Sequence, residues 1–218
     1  MVVLPQNSLR PRTVGRLSLY LRVLKQMMEN GSVHIFSRDL AKLAGVSSSQ
    51  VRQDLMNVSV VGTPQNGYTA ISLLLSLNRC LGVNQTTRAI LLGSGFLGQS
   101  ILHHFQVTRP HLEMVAVFDV NPSMVGKYLN NVPVLPISEL KNRAQVTKPQ
   151  MAILTVPPEV AQPLAEQIVS LGINSILNFT PMRLQLPSHV FVENNDIQTS
   201  LERVAYYAAL PSEQGAEA

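Results

Sequence analysis

Three glycines separate a short apolar run from a helical pattern, at the spacing G-x-G-x-x-G. They are Gly93, Gly95 and Gly98, within AILLGSGFLGQSILHHF. The first glycine permits a tight turn, the second lets backbone approach a pyrophosphate, and the third allows close packing of helix on strand. The pattern predicts a dinucleotide site with the phosphates at the N-terminus of the helix.

An acidic residue ends the next apolar run, MVAVFDVNP. Asp119 lies 26 residues after Gly93, compared with about 20 in the usual dinucleotide-binding motif. A carboxylate at this place bonds the ribose hydroxyls and repels a 2′-phosphate, which favours NAD(H) over NADP(H). The alternative interpretation is that Asp119 only forms the turn before the Asn-Pro of residues 121–122.

Strand and helix patterns alternate over residues 83–195. After the two runs above, the predicted strands are VPVL, QMAILTV, INSILNF and HVFVEN, and the predicted helices are ISELKNRAQV and PPEVAQPLAEQIVSLG. Such alternation predicts an α/β domain with a doubly wound parallel sheet that binds ligand at the C-terminal strand ends. The candidate cofactor-binding residues are Gly93, Ser94, Gly95, Phe96, Leu97, Gly98, Asp119, Val120, Lys127, Thr155, Val156, Pro157, Asn178, Phe179 and Thr180.

Residues for catalysis are scarce. After the sheet pattern, residues 196–218 supply one helix, IQTSLERVAYYAAL, and a polar tail, so we expect no substrate domain. The sequence shows no Ser-His-Asp arrangement, paired carboxylates or metal-ligand spacing, and each His is interpreted as a surface or packing residue. The one cysteine, Cys80, is expected to pack in an apolar stretch. We therefore predict a protein that is not an enzyme and holds no metal.

Charge is distributed unevenly along the chain of 218 residues. Residues 1–80 hold nine Lys and Arg against three Asp and Glu, a net +6, whereas residues 81–218 hold eight against ten, a net −2. The basic part indicates binding to a polyanion, and a solvated basic surface is the alternative. The sequence has neither an apolar run long enough to span a membrane nor a signal-peptide pattern, so we expect a cytoplasmic location.

The basic part contains a helix-turn-helix pattern, AKLAGVSSSQVRQDL. Ser37 is the expected N-cap of its first helix, and Gly45 supplies the turn. Ser47 is expected to cap the second helix, with Val51 and Leu55 as the buried pair. In this motif the second helix enters the major groove of DNA. A helical hairpin whose polar residues face water is the alternative.

Flanking elements complete a predicted winged-helix domain over residues 1–82. An amphipathic helix precedes the motif at residues 13–30, and VSVVGTPQNGYTAI follows it as two short strands around a turn, which would form the wing. A connecting helix is expected over residues 71–82. Arg and Gln side chains suit the recognition of guanine and adenine. The candidate DNA-binding residues are Arg10, Arg12, Arg16, Ser47, Ser48, Ser49, Gln50, Arg52, Gln53 and Gln65.

The chain resembles the Rex family of bacterial redox-sensing transcriptional repressors over nearly its whole length. The resemblance lies in TVGRLSLYLRVL, SSSQVRQDL, GSGFLGQSIL, VFDVNPSMVG, AILTVPPEVAQPLAEQIV, GINSILNFTPMRLQLP and NNDIQTSLERVAYY. It implies a winged helix, a Rossmann domain, and a homodimer whose subunits exchange the helix of residues 196–218. It also implies that the repressor binds double-stranded operator DNA when NADH is low and leaves it when NADH binds.

The same resemblance implies that three residues couple the nucleotide to DNA binding. Arg16 and Asp196 match the family's coupling residues, and His104 stands where the family commonly has Tyr. Phe96 replaces a residue that is usually polar or basic. Residues 63–65 of the wing, and Gln53 after the recognition Arg, replace common basic residues, which implies weaker and less salt-dependent DNA binding or a changed operator.

Two alternatives to a redox-sensing repressor stay open at this point. One is a Rossmann-fold NAD-dependent oxidoreductase with an unusual N-terminal extension. The other is a DNA-binding sensor of another adenine nucleotide, such as coenzyme A. The missing substrate domain weighs against the first, and Asp119 with the complete glycine triplet weighs against the second.

Overall fold

The computed structural model describes residues 9–60, 62–63 and 65–210. It divides the chain into two compact units, residues 1–85 and 86–218, whereas the sequence places the boundary after residue 82. The predicted wing residue Pro64 and the predicted polar tail lie outside the described residues, the latter from residue 211 onward.

The first unit consists mainly of helices around one apolar core. Six leucines of this core are fully buried, namely Leu17, Leu24, Leu40, Leu55, Leu73 and Leu77. Helical spacing of apolar residues therefore predicted the first helix correctly. The elements of the unit are α1 (Pro11–Glu29), β1 (His34–Ile35), α2 (Ser37–Ala44), α3 (Ser48–Met56), β2 (Tyr68–Thr69) and α4 (Ala70–Cys80).

The turn between α2 and α3 agrees with the prediction, whereas the start of α2 does not. Gly45 has φ +65°, the left-handed conformation that glycine adopts at little cost. The Ser47 hydroxyl accepts a hydrogen bond from the Gln50 amide at 3.1 Å, as expected of an N-cap. The prediction of Ser37 as the N-cap of α2 was wrong. The helix begins at Ser37 itself, and Phe36 occupies the N-cap position without a side-chain hydrogen bond.

The wing also differs from the predicted hairpin. Strand β2 pairs antiparallel with β1, with His34 opposite Thr69. Residues 58–60 were expected to form the partner strand, but none of them is in a strand. Thr63 and Gly67 form an isolated bridge, with backbone hydrogen bonds of 2.9 and 2.8 Å. The pattern of alternating residues finds a strand, but it does not show which distant segment will pair with it.

Cys80 does not pack in the core as predicted. Cys80 is exposed and is the last residue of α4. The buried face of this helix comprises Ala70, Leu73 and Leu77. Cys80 therefore lies just beyond the part of the helix that the core covers.

The second unit is a seven-stranded sheet with the order β5-β6-β4-β3-β7-β8-β9. The strands are parallel except for the β5–β6 pair. This is the doubly wound order, with the topological switch point between β3 and β7. The elements are β3 (Thr87–Leu92), α5 (Phe96–Thr108), β4 (Leu112–Asp119), β5 (Tyr128–Leu129), β6 (Val132–Pro136), a 3-10 turn (Ile137–Glu139), α6 (Leu140–Thr147), β7 (Met151–Leu154), α7 (Pro158–Ser170), β8 (Ser175–Asn178), β9 (Phe191–Asn194) and α8 (Ile197–Ala208).

Strand β3 is buried on both faces of the sheet. Ile90 and Leu92 pack with Phe118 on one face, and Ala89 and Leu91 belong to the apolar cluster on the other. A strand covered on both sides has no need of polar residues at alternate positions. This explains why its sequence is continuously apolar, and it places the end of β3 at the centre of the sheet.

The short β5–β6 hairpin was not predicted. Asn130 and Asn131 connect its strands, with φ angles of +47° and +66°. Two successive left-handed residues are typical of a two-residue hairpin turn, and Asn tolerates this conformation better than most residues. The strand VPVL was predicted, but its antiparallel partner has only two residues and carries no alternating pattern.

Helix α8 adds no side chain to the core of the second unit. All residues from 197 to 210 are exposed. Ile197, Leu201 and Val204 recur at helical spacing and are 53%, 68% and 66% exposed. The described helices, α1 to α8, are each too short or too polar to cross a membrane.

Candidate functional site

The glycine-rich loop lies between β3 and α5, and two of its glycines have no room for a side chain. Gly93 has φ +96°, and a Cβ added there would lie 2.6 Å from the Thr155 carbonyl oxygen. A Cβ on Gly98 would overlap the carbonyl oxygen of Gly93. Gly95 differs, because a Cβ there would meet no atom within 4 Å. The loop therefore offers open space at the one glycine that a phosphate must approach.

Helix α5 begins directly at this space. Gly95 is its N-cap, in an extended conformation with φ −64° and ψ −179°. The first amides of a helix have no carbonyl partner within the helix, and they carry partial positive charge. The N-terminus of α5 and the open side of Gly95 thus fit the pyrophosphate of a dinucleotide.

Asp119, the predicted ribose-binding acid, also anchors the loop. Its Oδ2 accepts hydrogen bonds from the Ser94 amide at 2.6 Å and from the Ser94 hydroxyl, and its Oδ1 accepts from the Asn121 amide at 2.9 Å. Burial alone would raise the pKa of Asp119, but the hydrogen bonds from Ser94 and Asn121 lower it on balance. The carboxylate is therefore ionised at neutral pH. It also forms the turn that the alternative interpretation proposed.

Polar side chains at the ends of β7 and β8 hold the strand ends in place. The Thr155 hydroxyl donates to the Gly93 carbonyl at 2.9 Å. Asn178, which is fully buried, donates to the Asn194 side-chain oxygen at 2.9 Å and accepts from the Thr180 amide and hydroxyl. The hydrogen bonds of these predicted site residues are made to other groups of the protein. We therefore infer that these side chains hold the site in its conformation.

The apolar candidates for the nicotinamide end lie on opposite faces of the sheet. Val156 packs with the cluster that includes residues of α7, and Phe179 packs with the cluster that includes residues of α5. Both are partly buried at the ends of neighbouring strands. Pro157, Val120 and Lys127 are exposed.

The two departures from the family pattern on α5 are both at the surface. Phe96 is 95% exposed at the first position of the helix. Leu97, which follows it, is 38% exposed. His104 is exposed two turns further along, with its ring centroid 5.8 Å from that of Phe105.

An open groove of about 1000 Å³ lies in the first unit, between the start of α1 and α3. We call it the α1–α3 groove. It brings together five of the predicted DNA-binding residues from two separate stretches of sequence. These are Arg10, Arg12, Arg16, Gln50 and Gln53, joined in the lining by Asp54 and Asn57.

Asp54 is the functional residue that the sequence prediction missed. It lines this groove with a side chain that is only 1% exposed. Arg16 binds it twice, Nε to Oδ2 at 2.6 Å and Nη2 to Oδ1 at 2.7 Å. The Tyr20 hydroxyl donates to Oδ2 at 2.9 Å, and Gln50 Nε2 donates to Oδ1 at 3.0 Å. The signal that could have found it is an acid three residues after Val51, on the buried face of α3.

The charges in this cluster support one another. Burial would raise the pKa of Asp54, but hydrogen bonds from Arg16 and Tyr20 lower it on balance. The hydrogen bond to Asp54 raises the pKa of Arg16, and burial with the same carboxylate raises that of Tyr20 well above its usual value. At neutral pH the cluster therefore holds an ionised Asp, a charged Arg and a neutral Tyr.

The other predicted DNA-binding residues lie outside the lining of the α1–α3 groove. Ser48 is half-buried at the start of α3. Ser47, Ser49, Arg52 and Gln65 are exposed. Their exposure leaves them accessible to a partner.

The predicted coupling residues Arg16 and Asp196 each bind within their own unit. Arg16 is paired with Asp54, as described above. Asp196 caps α8, where Oδ1 accepts from the Thr199 amide at 2.9 Å and Oδ2 accepts from the Thr199 hydroxyl. The hydrogen bond from the Thr199 hydroxyl is the main cause that lowers the pKa of Asp196. In the described part of the chain, no cluster of His, Cys, Asp and Glu is able to hold a metal ion.

Comparisons with known proteins match both units. A family model described as "CoA binding domain" matches residues 84–182, and one described as "Putative DNA-binding protein N-terminus" matches residues 11–55. A redox-sensing transcriptional repressor Rex of Bacillus pumilus is 33% identical over 203 residues, which cover 93% of this chain and 94% of that protein. The chain belongs to the Rex family.

Other Rex proteins and solved structures agree. The Rex of Syntrophobacter fumaroxidans is 34% identical over 201 residues, which cover 92% of this chain and 96% of that protein. A Rex-family repressor named RSP has been solved in several states. Its crystal structure in complex with β-NAD⁺ and operator DNA is similar to this chain, with a TM-score of 0.86 and 32% sequence identity. The match covers 93% of this chain and 94% of that chain. Its complex with β-NADH gives 32% identity and a TM-score of 0.82, over 93% and 95%. The predicted fold class is confirmed.

Substitutions at two of the glycines should separate binding from folding. Gly95→Ala fills the open space without a clash, so we expect an unchanged melting temperature and at least about a tenfold loss of NADH affinity. Gly98→Ala overlaps backbone and should lower the unfolding free energy by about 2 kcal/mol. NADH fluorescence reports binding, since the chain has no Trp. Normal NADH binding by Gly95→Ala would contradict the assignment of the phosphate site.

The Arg16–Asp54 pair should stabilise the first unit in a pH-dependent way. Arg16→Leu leaves a buried carboxylate short of donors and should cost about 3 kcal/mol at pH 7. The folded-state pKa of Asp54 is lowered, so its stabilisation is complete above the ordinary Asp pKa of 3.8 and is lost as pH falls through the folded value. The difference between wild type and variant should therefore shrink below pH 4.

Denaturant unfolding at several pH values measures this difference. Arg12→Leu is the matched control, because Arg12 is exposed one turn earlier on α1. An equal cost for the two variants, or a cost that does not change with pH, would contradict the assigned role of the ion pair.

Proposed function

We propose that this protein is a transcriptional repressor that binds operator DNA when NADH is low and leaves it when NADH binds the second unit. The observation that carries the proposal is that one chain combines a preformed phosphate loop with an α1–α3 groove lined by Arg and Gln. Membership of the Rex family supports it. The protein acts in the cytoplasm, as a regulator and not as an enzyme.

The dinucleotide would be held along the C-terminal edge of the sheet. The N-terminus of α5 and the open side of Gly95 would bind the pyrophosphate, and Asp119 would bind the adenosine ribose. Val156 and Phe179 are the apolar residues proposed for the nicotinamide end. The nicotinamide supplies the redox signal, because it is planar and charged in NAD⁺ but neutral in NADH, and an apolar surface favours the neutral form.

The proposed DNA-binding form is a homodimer in which each subunit's α8 packs on the partner. The exposed apolar stripe of Ile197, Leu201 and Val204 supports this, because a helix with such a stripe gains stability only when the stripe is covered. Two recognition helices related by twofold symmetry bind two half-sites. The operator is therefore expected to be palindromic.

Coupling between nucleotide and DNA would pass through Arg16, His104 and Asp196. Arg16 is committed to Asp54, and Asp54 lies on the recognition helix α3. Loss of the Arg16 hydrogen bonds would leave this buried carboxylate short of donors and would disturb α3 directly. NADH binding would lower the DNA affinity by weakening this pair, with His104 and Asp196 as the coupling residues of the second unit.

Coenzyme A is the second candidate ligand. It is favoured by the family model named for it, which matches most of the second unit. Coenzyme A and NAD(H) share the pyrophosphate that the glycine loop fits. The ribose site separates them, because coenzyme A carries a phosphate on the ribose, close to where the ionised Asp119 would lie.

The test is a DNA-binding assay on duplexes that the protein itself selects from a randomised library in the presence of NAD⁺. NADH, NAD⁺ and coenzyme A are then titrated separately while fluorescence anisotropy follows the bound DNA. We expect NADH to release DNA at concentrations at which NAD⁺ does not. Equal release by NAD⁺ and NADH, or by neither, would contradict the redox function. Release by coenzyme A alone would support the second candidate.

The proposed dimer can be tested on α8. Leu201→Asp places a charge in the apolar stripe and should dissociate the dimer at micromolar concentration, with a loss of DNA affinity of at least about tenfold. Gln198→Asp adds the same charge at an exposed polar position of the helix and should leave the dimer intact. Sedimentation velocity measures both. A dimeric Leu201→Asp variant would rule out the proposed packing of α8.

A further inference from the structure

We propose that Asp54 fixes the orientation of the Gln50 amide and thereby determines which base pair the recognition helix accepts. The inference rests on the proposed function, because it assumes that α3 enters the major groove of DNA. Asp54 itself is nearly fully buried and does not reach the DNA in this proposal. It is a positioning residue that acts through Gln50.

The orientation of Gln50 follows from the chemistry of its neighbour. A carboxylate accepts hydrogen bonds and cannot donate them. The end of the Gln50 side chain that lies 3.0 Å from Asp54 Oδ1 must therefore be the NH₂ group. Without such a partner, a glutamine amide turns by 180° at little cost and presents either end. With Asp54 in place, the carbonyl oxygen and one N–H of Gln50 stay free.

The Asp54 carboxylate is itself fixed by other hydrogen bonds, so it keeps its contact with Gln50. Its Oδ2 accepts from Arg16 Nε and from the Tyr20 hydroxyl, and its Oδ1 accepts from Arg16 Nη2 as well as from Gln50. These donors come from α1 and α3, so the carboxylate is fixed from both helices. Gln50 lines the same groove as Arg10 and Arg12, on the face proposed for DNA.

One base pair matches the groups that Gln50 has left. In the major groove, adenine presents the N7 acceptor and the N6–H donor, which pair with an N–H and a carbonyl oxygen. Guanine presents two acceptors, O6 and N7, and would face the Gln50 carbonyl oxygen with no donor. We therefore expect Gln50 to select an A·T pair and to reject G·C because of Asp54.

The test repeats selection from a duplex library with a randomised core, using the full-length protein with NAD⁺, followed by sequencing. The motif selected by the wild type should contain one position at which A·T is preferred because of Gln50. The preference for A·T at that position should disappear in Gln50→Ala. In Asp54→Asn, the side-chain carbonyl oxygen keeps Arg16 Nε and the Tyr20 hydroxyl, and the new NH₂ group replaces Oδ1. Arg16 Nη2 then loses its acceptor, and Gln50 faces a donor, so that its own amide must flip. Discrimination against G·C at that position should fall from about tenfold to about twofold.

Other positions of the motif should keep their preferences in Asp54→Asn. Adding Asp54→Asn to Gln50→Ala should change no base preference further, because Asp54 affects base preference through Gln50. A uniform loss of affinity at all positions reports its separate role in holding α3 against α1. If Asp54→Asn weakens binding at every position but retains the A·T preference, the inference is overturned. If the wild type enriches no sequence, the proposed function fails as well. If it enriches a motif in which no position depends on Gln50, only this inference fails.

A measurement on the wild type completes the test without a variant that must fold with a changed core. The side-chain order parameter of the Gln50 NH₂ group should be high, whereas that of Gln53, an exposed residue one turn further along α3, should be low. The Gln50 signal is assigned by its loss in Gln50→Ala. Equal mobility of the two amides would overturn the inference.

Discussion

A carboxylate can be buried in a protein only when hydrogen-bond donors satisfy its oxygens, and this requirement organises both units. In the first unit, Asp54 gathers donors from α1 and from its own helix, which locks the recognition helix in position. In the second, Asp119 gathers donors from the residues that follow β3 and β4, which gives the glycine loop its shape. At the surface, Asp196 satisfies the Thr199 amide at the start of α8. Each of these aspartates thus fixes one element that has a proposed function, namely the recognition helix α3, the glycine loop or α8.

The parallel sheet explains why the loop can be so tightly held. Parallel strands end at a common edge, so β3, β4 and β7 deliver their last residues to one place. Gly93 donates to the Phe118 carbonyl of β4 at 2.8 Å and accepts from Thr155 after β7 at 2.9 Å. A side chain at Gly93 or Gly98 would break this contact. The order of the strands and the positions of the glycines are thus parts of one constraint.

Signals that are local in sequence predicted much of this structure. The spacing of Leu17 and its neighbours, the left-handed turn at Gly45 and the glycine triplet all depend on residues a few positions apart. The Asp54 cluster was missed because Arg16 lies 38 residues away in sequence. Ser37 was misassigned because a serine before an apolar pattern fits the first helical position as well as the cap. A two-residue strand such as β1 is too short to show any alternation.

The glycine loop has its shape before any ligand arrives, because neighbouring strands hold it from both sides. A loop of fixed shape gives the same binding free energy to the parts that oxidised and reduced dinucleotides share. Equal affinity for two forms selects neither of them. For the proposed repressor, NAD⁺ and NADH therefore compete for one binding site. Once this site is saturated, DNA release depends on the ratio of NADH to NAD⁺ in the cell, and the total concentration of the two nucleotides has little influence.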